Sequence, residues 1–377
     1  MRLDAERLEF AAAIEDFCAR EVGGFAGLEE LTDHEAIANS PVILEKMAAL
    51  GWLGVSLPSE YGGGGAGFVD ECVFLEETNR GLAPVLGYST GLTAAQTYLK
   101  WGTEEQKKTI VSNLAAGRIE AIALSEPGTG SDLGAVRTRG VRDGDEYVLD
   151  GQKTWISAAH VAEHMLTLVR EDTSGPKHTG LTLLMVPCAT PGIEMREVRT
   201  MEARTCNDVF FTGARVSASA VVGEPGQGWK HLMRGLSVER MIIAAFSIGN
   251  ARRALEDAVA YMRQRDAFGQ PISDFQALRH RVADLATDIE TTRAFVYDVA
   301  QAIDEGHEDG LARESSMAKM RATEVARKAA LEGMQLMGGA GYAREYGMEF
   351  QVRRALAPPI FGGTNEIQRE IIAKSIF

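Results

Sequence analysis

The chain has 377 residues, 45% apolar and 24% charged, and its 53 acidic and 39 basic side chains give a net charge of −14. That length suffices for two or three domains and for burying about 75% of the unfolded surface, so no disulfide staple is needed. The charge is opposite to that of a general nucleic-acid coat or an anionic-membrane binder, so an anionic ligand must meet a local basic site. No apolar run approaches the ~20 residues of a membrane-spanning helix. The acidic, amphipathic start Met1-Arg2-Leu3-Asp4-Ala5-Glu6 has neither an apolar signal core nor an Arg/Ser-rich transit composition. Cys18, Cys72, Cys188 and Cys206 form no C-x-x-C pair, and the seven histidines form no H-E-x-x-H pattern. The expectation is a cytoplasmic protein with free thiols, no metal, no stable membrane anchor and no nucleic-acid partner.

Residues 1–120 read as a helical N-terminal domain, with apolar side chains at helical spacing in Leu8, Ala11, Ile14 and Cys18 and again in Ile43, Met47, Leu50 and Leu53. Tyr61-Gly62-Gly63-Gly64-Gly65 is a turn between helices. Residues 121–229 read as a middle β domain, barrel-like in outline. Its short β-rich runs are Glu146–Leu149 and Leu181–Val186, and Asp143-Gly144 and Asp150-Gly151 are expected hairpin turns. Residues 230–377 read as a C-terminal four-helix bundle. Phe275, Leu278, Val282, Leu285, Ile289, Thr292, Val296, Val299 and Ile303 step by three and four along one helix seam. A further helix covers Ser315 to Met337, and a short one follows Thr364.

Six clusters carry chemistry-bearing residues, and each has a structural alternative. Leu124-Ser125-Glu126-Pro127-Gly128-Thr129-Gly130-Ser131-Asp132 offers hydroxyls and backbone amides to a planar polar ligand or a phosphate, or is a capped turn. In Trp155-Ile156-Ser157 the indole stacks on an aromatic ring or packs into the β core. Glu239-Arg240 sits in an otherwise apolar helix, where a desolvated carboxylate suits a general base and the alternative is a structural ion pair. Arg265 and Phe268 follow a helix end, as a phosphate fork or as a dipole charge. Gly338-Gly339 admits a ligand or caps a helix. Thr364 is a helix N-cap, at a terminus that also attracts anions.

Together, in this order, the six clusters resemble the acyl-CoA dehydrogenase family of flavoproteins over nearly the whole chain. The signatures are Ala123-Leu124-Ser125-Glu126-x-x-x-Gly130-Ser131-Asp132 and Gln335-x-x-Gly338-Gly339-x-Gly341-Tyr342-x-x-Glu345. The segments Phe210–Val216 and Val222-Gly223-Glu224-x-Gly226-x-Gly228 match the family's exit from its β domain. The resemblance implies an FAD cofactor and an acyl-CoA substrate. Leu124, Ser125, Trp155 and Ser157 would face the isoalloxazine ring, Gly130 belongs to the same cofactor loop, and Ser131 would meet the flavin phosphates or the pantetheine arm. Arg265, Phe268, Gln276, Gln335 and Gly339 match positions that clasp the flavin of a neighbouring subunit, and Thr364 and Glu366 match contacts near the diphosphate. A homotetramer or heterotetramer follows, with an electron-transferring flavoprotein as acceptor.

The implied reaction is α,β-desaturation: a carboxylate takes the α-proton while hydride leaves the β-carbon for flavin N5. Many members carry the base in a Tyr-Glu-Gly-Thr run. Here that run is Phe361-Gly362-Gly363-Thr364, and the Glu position is Gly362. Members resembling the isovaleryl- and long-chain enzymes place the base before a bundle-helix Arg, which is Glu239 before Arg240. Arg240 would hold the base or the bound thioester. Gly87, Ser89 and Gly91 are expected on one wall of the acyl pocket, or alternatively permit close helix packing. Arg354, Phe350, Thr129 and Ser237 depart from the family pattern, and Arg354 admits a partner other than a second copy. The alternative readings are a subunit that completes a partner's FAD site and an acyl-CoA oxidase.

Overall fold

The computed structural model describes residues 3–307 and 310–377, the side chain of Arg234 excepted. Met1 and Arg2 of the acidic start therefore lie outside the described residues. The first third is helical: α1 (Ala5–Glu21), α2 (Gly24–Leu31), α3 (Pro41–Ala49), α4 (Phe68–Arg80), α5 (Leu86–Trp101) and α6 (Glu104–Ala115). Seven strands follow: β1 (Ile119–Ala123), β2 (Arg139–Asp143), β3 (Glu146–Ser157), β4 (Ala162–Arg170), β5 (Leu181–Pro187), β6 (Ile193–Glu197) and β7 (Cys206–Ser217). Then come α7 (Gly228–Gln264), the short strands β8 (Asp266–Ala267) and β9 (Gln270–Pro271), α8 (Gln276–Asp304), α9 (Ala312–Met337), α10 (Gly339–Tyr342), α11 (Met348–Leu356) and α12 (Asn365–Lys374). This is the expected mainly helical chain with a central β segment. Among the described residues no helix is long and apolar enough to cross a membrane.

The chain divides into two compact units. One comprises Thr32–Ala66 and Pro84–Leu236. Its sheet runs β1-β4-β2-β3-β7-β6, with β5 paired to β4. β1 and β4 are parallel, while β2–β3, β3–β7, β4–β5 and β6–β7 are antiparallel. Tyr147, Leu149, Val169, Leu184, Val186 and Phe211 form part of its core. Asp143-Gly144 makes the expected hairpin, but Asp150-Gly151 does not. β3 runs straight through it, with a register shift between Leu149 and Asp150 and Gly151 at φ +144°. The dipeptide is a bulge, which needs the same conformational tolerance as a turn and so carries the same sequence signal. In the same unit, Thr103 and Gln106 form a reciprocal cap for α6 at 3.2 and 3.0 Å.

The other unit comprises Met1–Leu31, Gly67–Ala83 and Ser237–Phe377. Ala251, Ala254 and Ala258 of α7 share a core with Leu285 and Ile289 of α8 and with alanines of α9, the small side chains admitting close helix approach. The predicted α8 seam is buried at Leu285, Ile289, Thr292, Val296 and Val299 and only half-buried towards its two ends. Glu76, buried on α4, is satisfied by Arg252, by Arg293 Nε at 2.7 Å and by Tyr297 Oη at 2.7 Å. Arg354 donates to the side chain of Asn79 on α4.

Candidate active site

In the sheet-bearing unit, β1 ends at Ala123 and delivers Leu124 and Ser125, both half-buried. Their loop is fixed from below. Lys153 of β3 is 0% exposed, and its ammonium donates to the Leu124 carbonyl and to Glu126 Oε1, both at 2.9 Å. Glu126 also accepts the amides of Arg137 at 2.7 Å and Thr138 at 2.8 Å. Burial pushes the Lys153 pKa down to about 8, against the pull of Glu126. Burial presses the Glu126 carboxyl upward, but Lys153 and its hydrogen bonds outweigh that and its pKa is lowered. Thr154 N–H then donates to the Ser125 carbonyl at 2.9 Å, tying β3 to the loop.

The next residue is Trp155. It stands 60% exposed at φ +61°, beside a second register shift between Lys153 and Ile156. A non-glycine residue rarely adopts this backbone, and such strain gathers at functional positions. The alternative of a Trp packed in the β core is therefore excluded, and Ile156 fills the core in its place. Ser157 follows on the same strand, half-buried. Gly130 and Ser131 are exposed on the far part of the loop, and a Cβ on Gly128 or Gly130 would meet nothing within 4 Å.

Gly87 and Gly91 favour the close-packing alternative. A Cβ on Gly87 would lie 2.9 Å from Ile119 Cδ1, and one on Gly91 would lie 2.4 Å from Leu114 Cδ2. Gly87 faces β1 and Asn39 and Gly91 faces α6 and β1, so close packing accounts for their missing side chains.

In the helical unit, Glu239 and Arg240 lie on α7. Glu239 is half-buried by accessible surface, yet protein crowds its carboxyl and burial raises its pKa, with Arg240 and Lys319 opposing. Arg240 is buried, and its Nε–H has no partner among the described residues. Lys319 of α9 is 0% exposed and donates to the Gly363 carbonyl at 2.8 Å and to Asn365 Oδ1 at 3.1 Å. Burial pushes its pKa down to about 8, with Glu239 pulling the other way. Gln368 Nε2 also donates to the Gly362 and Gly363 carbonyls, at 3.1 and 2.9 Å. The loop so held lies against the carboxylate: a Cβ on Gly362 would stand 3.6 Å from Glu239 Oε1.

Thr364 caps α12, accepting the Ile367 amide at 3.3 Å. With Glu366, Arg327 and Arg369 it lines a cavity of about 260 Å³. Arg265 leads into the β8–β9 hairpin, and Phe268 at its tip is 97% exposed at φ +54°. Gln276 is exposed at the start of α8. Gln335 and Gly339 are exposed where Gly338, at φ +61°, closes α9. The structure thus joins Leu124, Ser125, Trp155 and Ser157 in one unit and Glu239, Arg240, Thr364 and Glu366 in the other. The residues expected to clasp a neighbour's flavin, Arg265, Phe268, Gln276, Gln335 and Gly339, occupy separate exposed positions.

Sequence reasoning missed Lys153, Glu126 as its partner, and Lys319. Only the inward phase of Lys153 on β3 and of Lys319 among the buried alanines of α9 hinted at them.

These residues fit FAD. Trp155 and Phe268 offer exposed aromatic faces, and the glycines at 128, 130, 338 and 339 leave open backbone, while the cavity at the α12 N-terminus sets Arg327 and Arg369 beside Glu324 and Glu366.

Three family models match the chain: acyl-CoA dehydrogenase N-terminal domain over residues 4–118, middle domain over 121–214 and C-terminal domain over 226–377. An acyl-CoA dehydrogenase of Bacillus subtilis is 34% identical over 381 residues, covering 99% of this chain and 98% of its own. A caffeyl-CoA reductase–Etf complex subunit of Acetobacterium woodii is 33% identical over 337 residues, 88% of each chain. The crystal structure of an acyl-CoA dehydrogenase from Geobacillus kaustophilus matches with a TM-score of 0.92 at 33% identity, over 99% of this chain and 98% of that one.

Proposed function

The chain belongs to the acyl-CoA dehydrogenase family and is an FAD-dependent oxidoreductase of acyl-CoA thioesters, and within that activity we propose that Glu239 removes the substrate α-proton. One observation carries the assignment. The family's two places for the base converge here, because a side chain at Gly362 would begin 3.6 Å from the Glu239 carboxylate. Position 362 holds no acid, so Glu239 alone supplies it.

FAD, when bound, supplies the hydride acceptor for the β-carbon. The chain's own residues do the rest. Burial makes the Glu239 carboxylate a stronger base than one in water, and Arg240 and Lys319 oppose that rise. Arg240, buried with an Nε–H that has no partner among the described residues, holds the bound thioester in register. Leu124, Ser125, Gly130, Trp155 and Ser157 hold the isoalloxazine side, with Ser131 beside the phosphates or pantetheine. Thr364 and Glu366 lie near the diphosphate. Arg265, Phe268, Gln276, Gln335 and Gly339 clasp the flavin of a neighbouring copy in a tetramer.

The domain boundaries are 1–120, 121–229 and 230–377, which the three matched segments support. Electrons leave to an electron-transferring flavoprotein, a reading supported by the name of the Acetobacterium woodii relative. The test is anaerobic mixing of the FAD-loaded protein with a panel of acyl-CoA thioesters. Bleaching of the flavin by at least one is expected, and a flavin that stays oxidised with all of them contradicts the reading.

A further inference from the structure

Ile243 lies four residues beyond Glu239 on α7, so the two side chains leave the same face of the helix, one turn apart. Both reach Gly362. An ideal Cβ there would stand 2.3 Å from Ile243 Cδ1, well inside van der Waals contact, and 3.6 Å from Glu239 Oε1. The next nearest atom of Ile243, Cγ1, would be at 3.8 Å, an ordinary contact. A single methyl group therefore occupies the start of any side chain at position 362. That methyl ends the side chain and can turn about χ2, but Ile243 is only 4% exposed, so any shift has to be taken up among buried neighbours.

We propose that Ile243 is a positioning residue for proton transfer: its Cδ1 methyl fills the space beside Gly362 from which a second carboxylate would reach the α-carbon, and so commits the chain to the base on α7. The inference rests on Glu239 as the base. It also explains why moving the base between the two segments takes more than exchanging two residues. A glutamate at position 362 would have to accept the left-handed backbone of Gly362, φ +62°, and displace Ile243 as well.

Ile243→Val is the sharp probe, because it deletes Cδ1 and keeps the branch. Two comparisons use the FAD-loaded protein. The first is a double-mutant cycle in Tm between Gly362→Ala and Ile243→Val, in which the backbone strain at 362 is common to both arms and cancels. Gly362→Ala should lower Tm clearly in the wild-type background and by about half as much or less in the Ile243→Val background. The second is the anaerobic flavin-bleaching rate of Glu239→Gly/Gly362→Glu with and without Ile243→Val. The triple variant should bleach about 10-fold faster or more, since a misplacement of about 1 Å costs ~10²-fold. Equal Tm losses in the two backgrounds overturn the proposal. So do equal rates in double and triple variants that both retain FAD, and if either loses FAD the Tm cycle decides. Glu239→Gln separates the two ideas: wild-type bleaching in that variant removes Glu239 as base, whichever way the Tm cycle falls.

Discussion

With Glu239 as the proposed base, its carboxyl bears on both the rate and the stability. Its pKa in the fold is raised by burial, so the ionised form needed for proton abstraction appears only above the usual carboxylate range. Flavin bleaching should therefore rise with pH along a single acid limb whose midpoint lies above about 4.3. Lys319→Met removes a cation that favours the carboxylate and should move that midpoint further up, while Lys319→Arg should move it little; an unmoved midpoint in the Met variant would contradict the electrostatic role. The same shift fixes the sign of a stability effect. A raised folded pKa means the fold prefers the neutral acid. Glu239 therefore contributes stability below its unfolded pKa, and loses that contribution as pH rises through its folded value. Glu239→Gln, neutral throughout, should raise Tm at pH 8, and the gain should shrink towards zero as pH falls towards 4. Thermal melts across that range check it. The Glu-Arg pair was legible in the sequence because charge in an apolar helix is conspicuous. Gly87 and Gly91 were not, because a missing side chain reads the same whether it faces a ligand or a neighbouring helix.

Among the elements, β3 decides how the proposed flavin-facing residues are presented. Strict alternation from Tyr147 and Leu149 puts both Lys153 and Trp155 inside. The structure keeps Lys153 in and turns Trp155 out, because a register shift and a positive φ reverse the phase between them. Periodicity cannot show such a reversal, and so the strands were legible while their faces at the site were not. The long helices were easier, since the three-and-four spacing of α8 matches its buried seam at the centre. Lys153 makes the cost of error on β3 measurable. Lys153→Met leaves Glu126 buried without its cation and should destabilise by about 3–5 kcal/mol, with loss of bound FAD. Adding Glu126→Gln should recover part of that loss, and strict additivity in denaturant melts would contradict the coupling.

For the whole molecule, the six signatures spread from 123 to 369 were what made the family readable; no one of them sufficed. The inward phase of Lys319 hinted at its burial beneath the Gly362–Asn365 loop but not at its partners, a backbone carbonyl and a side-chain amide from distant sequence. In the proposed tetramer, FAD retention is a property of the assembly. Phe268, 97% exposed at φ +54° with its ring edge-on to Phe275, and the exposed Arg265 before it are open to a neighbouring copy. Arg265→Ala should lower FAD affinity by about 10–100-fold through loss of a charge-assisted contact. Equilibrium dialysis measures this, and unchanged affinity would remove the clasp assignment. Reoxidation by O2 should be slow beside reduction, and peroxide released at the rate of substrate turnover would identify an oxidase.

The base assignment is tested most directly by single-turnover bleaching of the FAD-loaded Glu239→Gln protein under anaerobic conditions, with a thioester that bleaches the wild type. Gln keeps the shape and hydrogen bonding of Glu but cannot accept the α-proton. FAD content should be unchanged and the bleaching rate should fall by ~10²–10⁴-fold, the usual worth of a placed general base. Bleaching at the wild-type rate would show that the proton leaves by another group and that Glu239 is not the base.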